Sequence, residues 1–349
     1  MWDPTPWVVT DADISPEMAR LVAYTASGGA EGIIEPTDLR VRALSTPGNR
    51  VRVAPGGALL KNRYAGGGQQ TYALRNATQH NSPIITATGS SGGRTDLVVA
   101  RVLDPNYEGS APPDPNDFQY ARTEIIEGVP SNTRSALDLN LNFPAIALAR
   151  INIPSSTATI TNSMITDLRH VANPRIESRL FAYNILGSDG SFHLTGMDNV
   201  DGHAWPNLGS HLWRIDVPEW ATHVQMLGTW SGVRTFPVSG RYGQLWARLG
   251  FNTGYDERGQ PSEDPDAGVR VDTHRVHWNL DDVPSGGVQR AFWSVADQRP
   301  VPSSMRGLTG QPIRMRGRLT QSGQTGTGIP ELDNFSSISC LVQFTEGPA

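Results

Sequence analysis

The chain has 349 residues, of which 38% are hydrophobic and 18% charged, with a formal net charge of −5. That length suggests about two domains, each able to bury a core without a disulfide or metal staple. With 36 glycines and 26 prolines the composition excludes a coiled coil, and its apolar content excludes wholesale disorder.

Residues 1–32 read as a lead-in. Ser15 offers an N-cap and Pro16 a first helical position, so a short helix is expected through Ala23, with Gly28-Gly29 ending it. Short strands follow at close spacing. Leu39, Val41 and Ala43 alternate with Arg40 and Arg42, and further strands are expected at 51–53, 58–61, 71–74, 83–87 and 97–103. Pro55-Gly56-Gly57, Gly66-Gly67-Gly68 and the 89–93 segment supply the turns. The proline-rich stretch 104–117 is expected as a long loop. The sheet resumes at 118–126 and at 145–153. In the latter Ile146, Leu148, Arg150 and Asn152 are expected on one face, with Ala147, Ala149, Ile151 and Ile153 on the other. A strand at 157–161 and a short turn at 165–169 close the domain. Residues 172–178 read as a linker. Strands are then expected at 213–217, 222–227, 244–249, 269–280, 287–294, 311–319 and 336–344. The fold class is therefore all-β, with short helices only. Two sandwich or barrel-like domains are expected, at 33–171 and 179–349, the second of jelly-roll type.

Charge and targeting signals narrow the function. An acidic balance, with pI near 5.9, argues against a nucleic-acid binder. Lysine occurs once, at Lys61, so the basic residues are nearly all arginine. No apolar run approaches the roughly 18 residues of a membrane span, and Met1-Trp2-Asp3-Pro4 lacks the basic start of a secretory signal. The single cysteine, Cys340, lies in a strand-like run and reads as a buried small hydrophobe.

Motifs for chemistry are weak. Gly89-Ser90-Ser91-Gly92-Gly93 has the spacing of a nucleophile elbow, but a strand-like run follows it where that motif needs a helix, so a hairpin loop is expected. His274 and His277 are expected on opposite faces of one strand, and no histidine pair has helical zinc spacing. The acidic stretch 256–266 has oxygen ligands for a cation but not the spacing of a calcium loop. Asp201, Asp216, Glu219 and Asp272 are carboxylates of the kind a glycosidase pair needs, without a spacing that selects any two. Asn76-Ala77-Thr78 is a glycosylation sequon without an export signal. No catalytic, cofactor or metal-ligating residue is assigned. Seven tryptophans fall between 205 and 293. Most sit in apolar strand patterns, but Trp205 beside Pro206 and Trp230 beside Ser231-Gly232 stand in turn-like contexts. These two are the candidate glycan contacts.

The ordered segments of the first half resemble a module that opens minor tail proteins of siphophages infecting actinobacteria. They are Val51-Arg52-Val53-Ala54-Pro55-Gly56-Gly57-Ala58, then Tyr72-Ala73-Leu74 and Ile84-Ile85. Arg94-Thr95-Asp96-Leu97-Val98-Val99-Ala100-Arg101-Val102-Leu103-Asp104 follows, with Ala147-Leu148-Ala149-Arg150-Ile151-Asn152-Ile153-Pro154 and Ile165-Thr166-Asp167-Leu168-Arg169 at the end. The resemblance covers 33–171. It implies a structural virion protein at the tail tip or baseplate, made in the bacterial cytoplasm. The implied partners are other tail proteins and further copies of the chain, as a trimer; host-surface glycan is expected as a target of the second domain from its tryptophans, not from the resemblance. Nucleic acid and membrane insertion are not implied. Arg94, Asp96 and Arg101 read as ion pairs flanking a buried strand. The alternatives are a carbohydrate-binding receptor-recognition protein and a glycan-degrading tail enzyme.

Overall fold

Alternation of apolar and polar residues governs both halves, and in the computed structural model it yields an all-β chain with one α-helix among the described residues. The structure describes residues 15–194, 202–208, 213–236, 241–250, 269–280, 287–319 and 329–348. Two units separate, Met1–Pro174 with Gly347–Ala349, and Arg175–Glu346.

In the first unit the helix α1 (Pro16–Ser27) starts where Ser15 accepts the Met18 N–H at 3.2 Å. It ends at Gly28, whose left-handed backbone (φ 61°) suits glycine. Ten strands follow: β1 (Gly32–Ile33), β2 (Val41–Ala43), β3 (Val51–Val53), β4 (Gly56–Lys61), β5 (Thr71–Asn76), β6 (His80–Asn81), β7 (Arg94–Val102), β8 (Ala121–Ile126), β9 (Ala145–Ile153) and β10 (Ile165–Asp167). They form three antiparallel sheets, ordered β1-β4-β5, β2-β3-β6 and β10-β9-β7-β8. All three contribute to one core, with Ile33, Val53, Leu60, Val98, Leu148 and Ile151 fully buried in it. The opposite face of the β7–β9 sheet is roofed by the segment between β8 and β9. There Val129, Ala136 and Phe143 pack on Leu97, Val99 and Ala147. The central sheet is thus covered on both sides, which is why β7 reads as a continuous apolar run rather than an alternation.

Four local expectations change. A bulge in the β7–β9 pairing, where Val98 meets Ala149 and Val99 meets Ala147, slips β9 by one residue at Leu148. Leu148 and Ala149 then both reach the main core, so the strict two-face division of 145–153 does not hold. Residues 165–167 form strand β10 on β9 rather than a turn. The 83–87 and 157–161 stretches are not strands, although Ile85 and Ile160 are buried. The Gly89–Gly93 stretch is a loop but not a hairpin, because β6 pairs with β3 while β7 pairs with β8 and β9.

The second unit holds twelve described strands: β11 (Ile176–Asn184), β12 (Phe192–His193), β13 (His203–Ala204), β14 (Trp213–Ile215), β15 (His223–Thr235), β16 (Tyr242–Gly250), β17 (Arg270–Asp272), β18 (Val276–Asn279), β19 (Gln289–Pro300), β20 (Gln311–Leu319), β21 (Glu331–Leu332) and β22 (Ser337–Thr345). One sheet runs β11-β22-β15-β21-β12, with β19 on the other side of β15. The second runs β13-β20-β16-β17, with β14 against β20 and β18 against β16. Val224, Met226, Trp230, Val342 and Phe344 of the first sheet meet Leu245, Leu249, Ile313 and Met315 of the second in one core. Strand β11 was not anticipated, and it takes residues 176–178 from the expected linker. The expected strand 269–280 is two strands, β17 and β18. The residues between them include Thr273, whose N–H donates to the Ala247 carbonyl at 3.0 Å, and His274, which therefore lies outside a strand.

Candidate functional site

Both tryptophans taken as glycan contacts are buried, which corrects the expectation of exposed rings. Trp205 is 2% exposed and Trp230 0%. The Ser231-Gly232 pair beside Trp230 is a β-bulge within the thirteen-residue strand β15, not a turn, and leaves Trp230 facing the core. The two rings stack at 6.3 Å, and Trp293 lies 6.1 Å from Trp205 and 5.4 Å from Trp278. Their indole N–H groups find partners inside: Trp205 donates to the Phe192 carbonyl and Trp230 to the Trp205 carbonyl, each at 2.9 Å. Burial with satisfied donors makes them core residues.

What the second unit leaves open is the outer face of its first sheet. Across β11, β22, β15 and β19 the register sets five rows of four residues. The first is Ile176, Thr345, His223 and Pro300. The second is Ser178, Gln343, Gln225 and Gln298, and the third Leu180, Leu341, Leu227 and Ala296. The fourth is Ala182, Ser339, Thr229 and Ser294, and the fifth Asn184, Ser337, Ser231 and Phe292. None of these residues is buried. Leu180 is 69% exposed and Phe292 66%. Cross-strand hydrogen bonds tie the polar rows together: Thr229 Oγ1 lies 2.6 Å from Ser339 Oγ, and Gln343 Nε2 donates to Ser178 Oγ at 3.0 Å.

Not one Asp, Glu, Lys or Arg stands among the five rows. An ordinary soluble surface of this size would carry about five to seven charges. Alongside these rows the charges take the opposite parity on the two edge strands; beyond the fifth row Arg234 on β15 and Arg290 on β19 face outward. Glu177 and Arg179 lie on β11, and Asp297 and Arg299 on β19, where Arg299 Nε sits 2.7 Å from the Asp297 carboxylate. Asp297 is held below the usual carboxylate range: burial opposes this, but the His274 N–H and the Arg299 guanidinium outweigh it. Inward-pointing charges on edge strands oppose edge-to-edge pairing with another sheet. The arrangement therefore guards the edges and leaves the face uncharged.

The expected ion-pair residues and two of the candidate carboxylates, Asp216 and Asp272, have structural partners. Arg94 grips Asp96 through two hydrogen bonds of 2.7 and 2.9 Å, and Asp96 also accepts the Gly128 N–H at 3.0 Å. Arg101 pairs with Glu108 and Glu124 and lies 3.7 Å over the Phe143 ring. Both match the expected flanking ion pairs. Asp272 holds Arg248, and Asp216 accepts the Gly310 N–H at 2.7 Å. Asp201 and the 256–266 stretch lie outside the described residues. Cys340 is fully buried, and burial pushes its thiol up to about 12. Among the described residues no cluster of three metal-ligating side chains occurs, and no helix is long and apolar enough to cross a membrane. A groove of about 660 Å³ opens in the first unit between α1, β5 and the 104–115 stretch. Its polar groups bind one another: Tyr72 donates to Asp104 at 2.9 Å, and Arg20 lies 3.4 Å from the same carboxylate. Burial and that hydrogen bond push the Tyr72 hydroxyl pKa upward.

No protein-family model and no curated protein matches the sequence. Solved structures similar to this chain include the VP2 subviral particle of infectious bursal disease virus, at 11% identity over 96% of this chain and 78% of that chain, with a TM-score of 0.23. The T13 particle of the same virus shows 11% identity over 95% of this chain and 82% of that chain, also with a TM-score of 0.23. Superpositions this loose carry no argument for a shared role.

Proposed function

We propose that the chain is a non-catalytic structural protein of a virus particle, of the minor tail type, positioned at the tail tip or baseplate. In this reading the first unit joins it to the tail and the second offers an assembly face. The observation that carries the reading is the uncharged outer face of the β11-β22-β15-β19 sheet. A face without charges loses little on leaving water, and its exposed leucines gain by doing so. Small-molecule sites are concave, mostly apolar clefts with a few convergent polar groups, whereas this face is broad and bears its polar groups as hydroxyl and amide side chains. The ordered segments across 33–171 that resemble tail-protein modules favour the tail over other parts of a particle. The resemblance also implies a trimer and partnership with other tail proteins. With Trp205 and Trp230 in the core, glycan recognition has no named residue to rest on and is not part of the proposal.

The test is to purify particles from lysates of the producing host, identify their proteins by mass spectrometry and label them with antibody against this chain. Gold particles at one tail end are expected. Absence of the chain from purified particles overturns the reading.

A further inference from the structure

We infer that the uncharged face is a two-fold contact with a second copy of this chain, sheet stacked on sheet. The inference rests on the assembly reading above for its biological setting and puts a two-fold pair in place of the trimer that the resemblance implies.

Three observations carry it. The first is charge. A two-fold contact sets a charge on its axis against its own copy and requires every off-axis charge to find an opposite charge across the axis; a face without charges meets both conditions. The five rows have none: Glu177, Arg179, Asp297 and Arg299 take the opposite parity at the edges, and Arg290, one step beyond Phe292, is paired with Asp333. The second is size. Four strands about 4.8 Å apart and nine residues at about 3.4 Å each give a face of about 19 by 30 Å. Two such faces remove about 1,200 Å² from water, the lower bound of specific stable interfaces.

The third is shape. A two-fold axis along the leucine row brings Leu180, Leu341 and Leu227 each opposite its own copy. The same axis places the second row against the fourth. Gln343 then faces Ser339, Gln225 faces Thr229 and Gln298 faces Ser294. Long amides thus meet short hydroxyls in every case, and each amide finds a donor and an acceptor opposite. At the corner Phe292 meets Pro300. Stacked twisted sheets cross at about 30°, so the match is closest on the axis, where the leucines are. An axis along the strands would instead oppose glutamine to glutamine and lose the size match.

The experiment uses the full chain in sedimentation at about 100 μM, a concentration that populates weak interfaces of this area. A mass near twice 37.8 kDa is expected. Leu341→Arg and Leu227→Arg are expected to return the monomer, while Ile84→Arg, on an exposed residue of the first unit, leaves the dimer intact. Thermal melts show whether each variant folds. A second readout does not depend on the arginine variants: Leu227→Cys is expected to cross-link to itself with a short bismaleimide, while Ile84→Cys is not, and buried Cys340 stays silent. A monomeric or trimeric wild type, a dimer that survives both arginines, or absence of the Leu227→Cys cross-link overturns the inference. A monomer whose Leu341→Arg variant drops out of particles means that another protein covers the face; the inference then fails and the virion reading stands. A dimer from a chain that never enters particles does the reverse.

Discussion

The central sheet of the first unit and the outer sheet of the second are built from similar strands and finished in opposite ways. The β10-β9-β7-β8 sheet is roofed on both faces, and its charges are paired at the ends of the strands, as in Arg94–Asp96 and Arg101–Glu124. The β11-β22-β15-β19 sheet is roofed on one face only. Its five open rows carry no charge; the charges beside them take the opposite parity at the edges, or lie past the bulge as Arg234 and Arg290 do. The first pattern is that of a sheet finished within its own chain. The second is that of a sheet whose outer layer is still to be supplied. Substitutions should accordingly cost folding in one place and association in the other.

The sharpest way to break this comparison is at the shared core of the second unit. Trp230→Ala should cost about 3–5 kcal/mol, read by chemical denaturation, because a fully buried ring leaves a cavity. A loss under about 1 kcal/mol would return Trp230 to the surface. Next is the first unit's ion pair. Asp96→Asn keeps the shape but removes the charge facing Arg94, and about 2–3 kcal/mol of stability should go with it. Gly232→Ala should cost about 1–3 kcal/mol. The residue sits at φ 70°, and a Cβ there would lie 2.5 Å from the Phe335 carbonyl oxygen.

Acid should act more gently. Hydrogen bonds from Arg101 hold the Glu108 carboxyl below its ordinary range, and those from Arg290 do the same for Asp333. A carboxylate with a depressed folded pKa contributes stability above its unfolded value and loses it as pH falls through the folded one. Stability measured against pH should therefore begin to fall below about pH 4.5, the ordinary Glu value. Glu108→Gln and Asp333→Asn should each flatten that slope. Smallest of all is the open face, where Leu341→Arg should change stability by no more than about 0.5 kcal/mol while changing the sedimentation mass.

Much of the fold was legible because strand signals are local. β7 announced itself as an apolar run, and Ser15 and Gly28 marked the ends of α1 closely. Strand β11 was not legible. Its two parities both carry apolar residues, Ile176 and Leu180 on one and Phe181 and Tyr183 on the other, so no alternation stands out. The bulges at Leu148 and Gly232 were hidden for a different reason. Alternation gives the phase of a strand only between bulges, and a Ser-Gly pair inside a strand reads like a turn. Such a pair makes Trp230 look like a surface residue from the sequence alone. The candidate face was hidden most deeply. Each row gathers residues far apart in the chain, such as Ser178 and Gln343, and their common lack of charge appears only once the register is known. The signal that could have shown it is the odd-numbered set from 223 to 231 and again from 337 to 345, neither holding a charged residue.

The bulge at Gly232 also works as a phase slip. Up to Ser231 the outward residues of β15 are odd-numbered and uncharged; beyond it they are even-numbered, and the first is Arg234, bound to Glu331 and set beside Arg290. One inserted residue therefore converts a neutral lattice into an ionic one within a single step along the strand, and so fixes where the open surface stops. Deleting Gly232 would restore the original phase, turning Val233 and Thr235 to solvent and driving Arg234 into the sandwich.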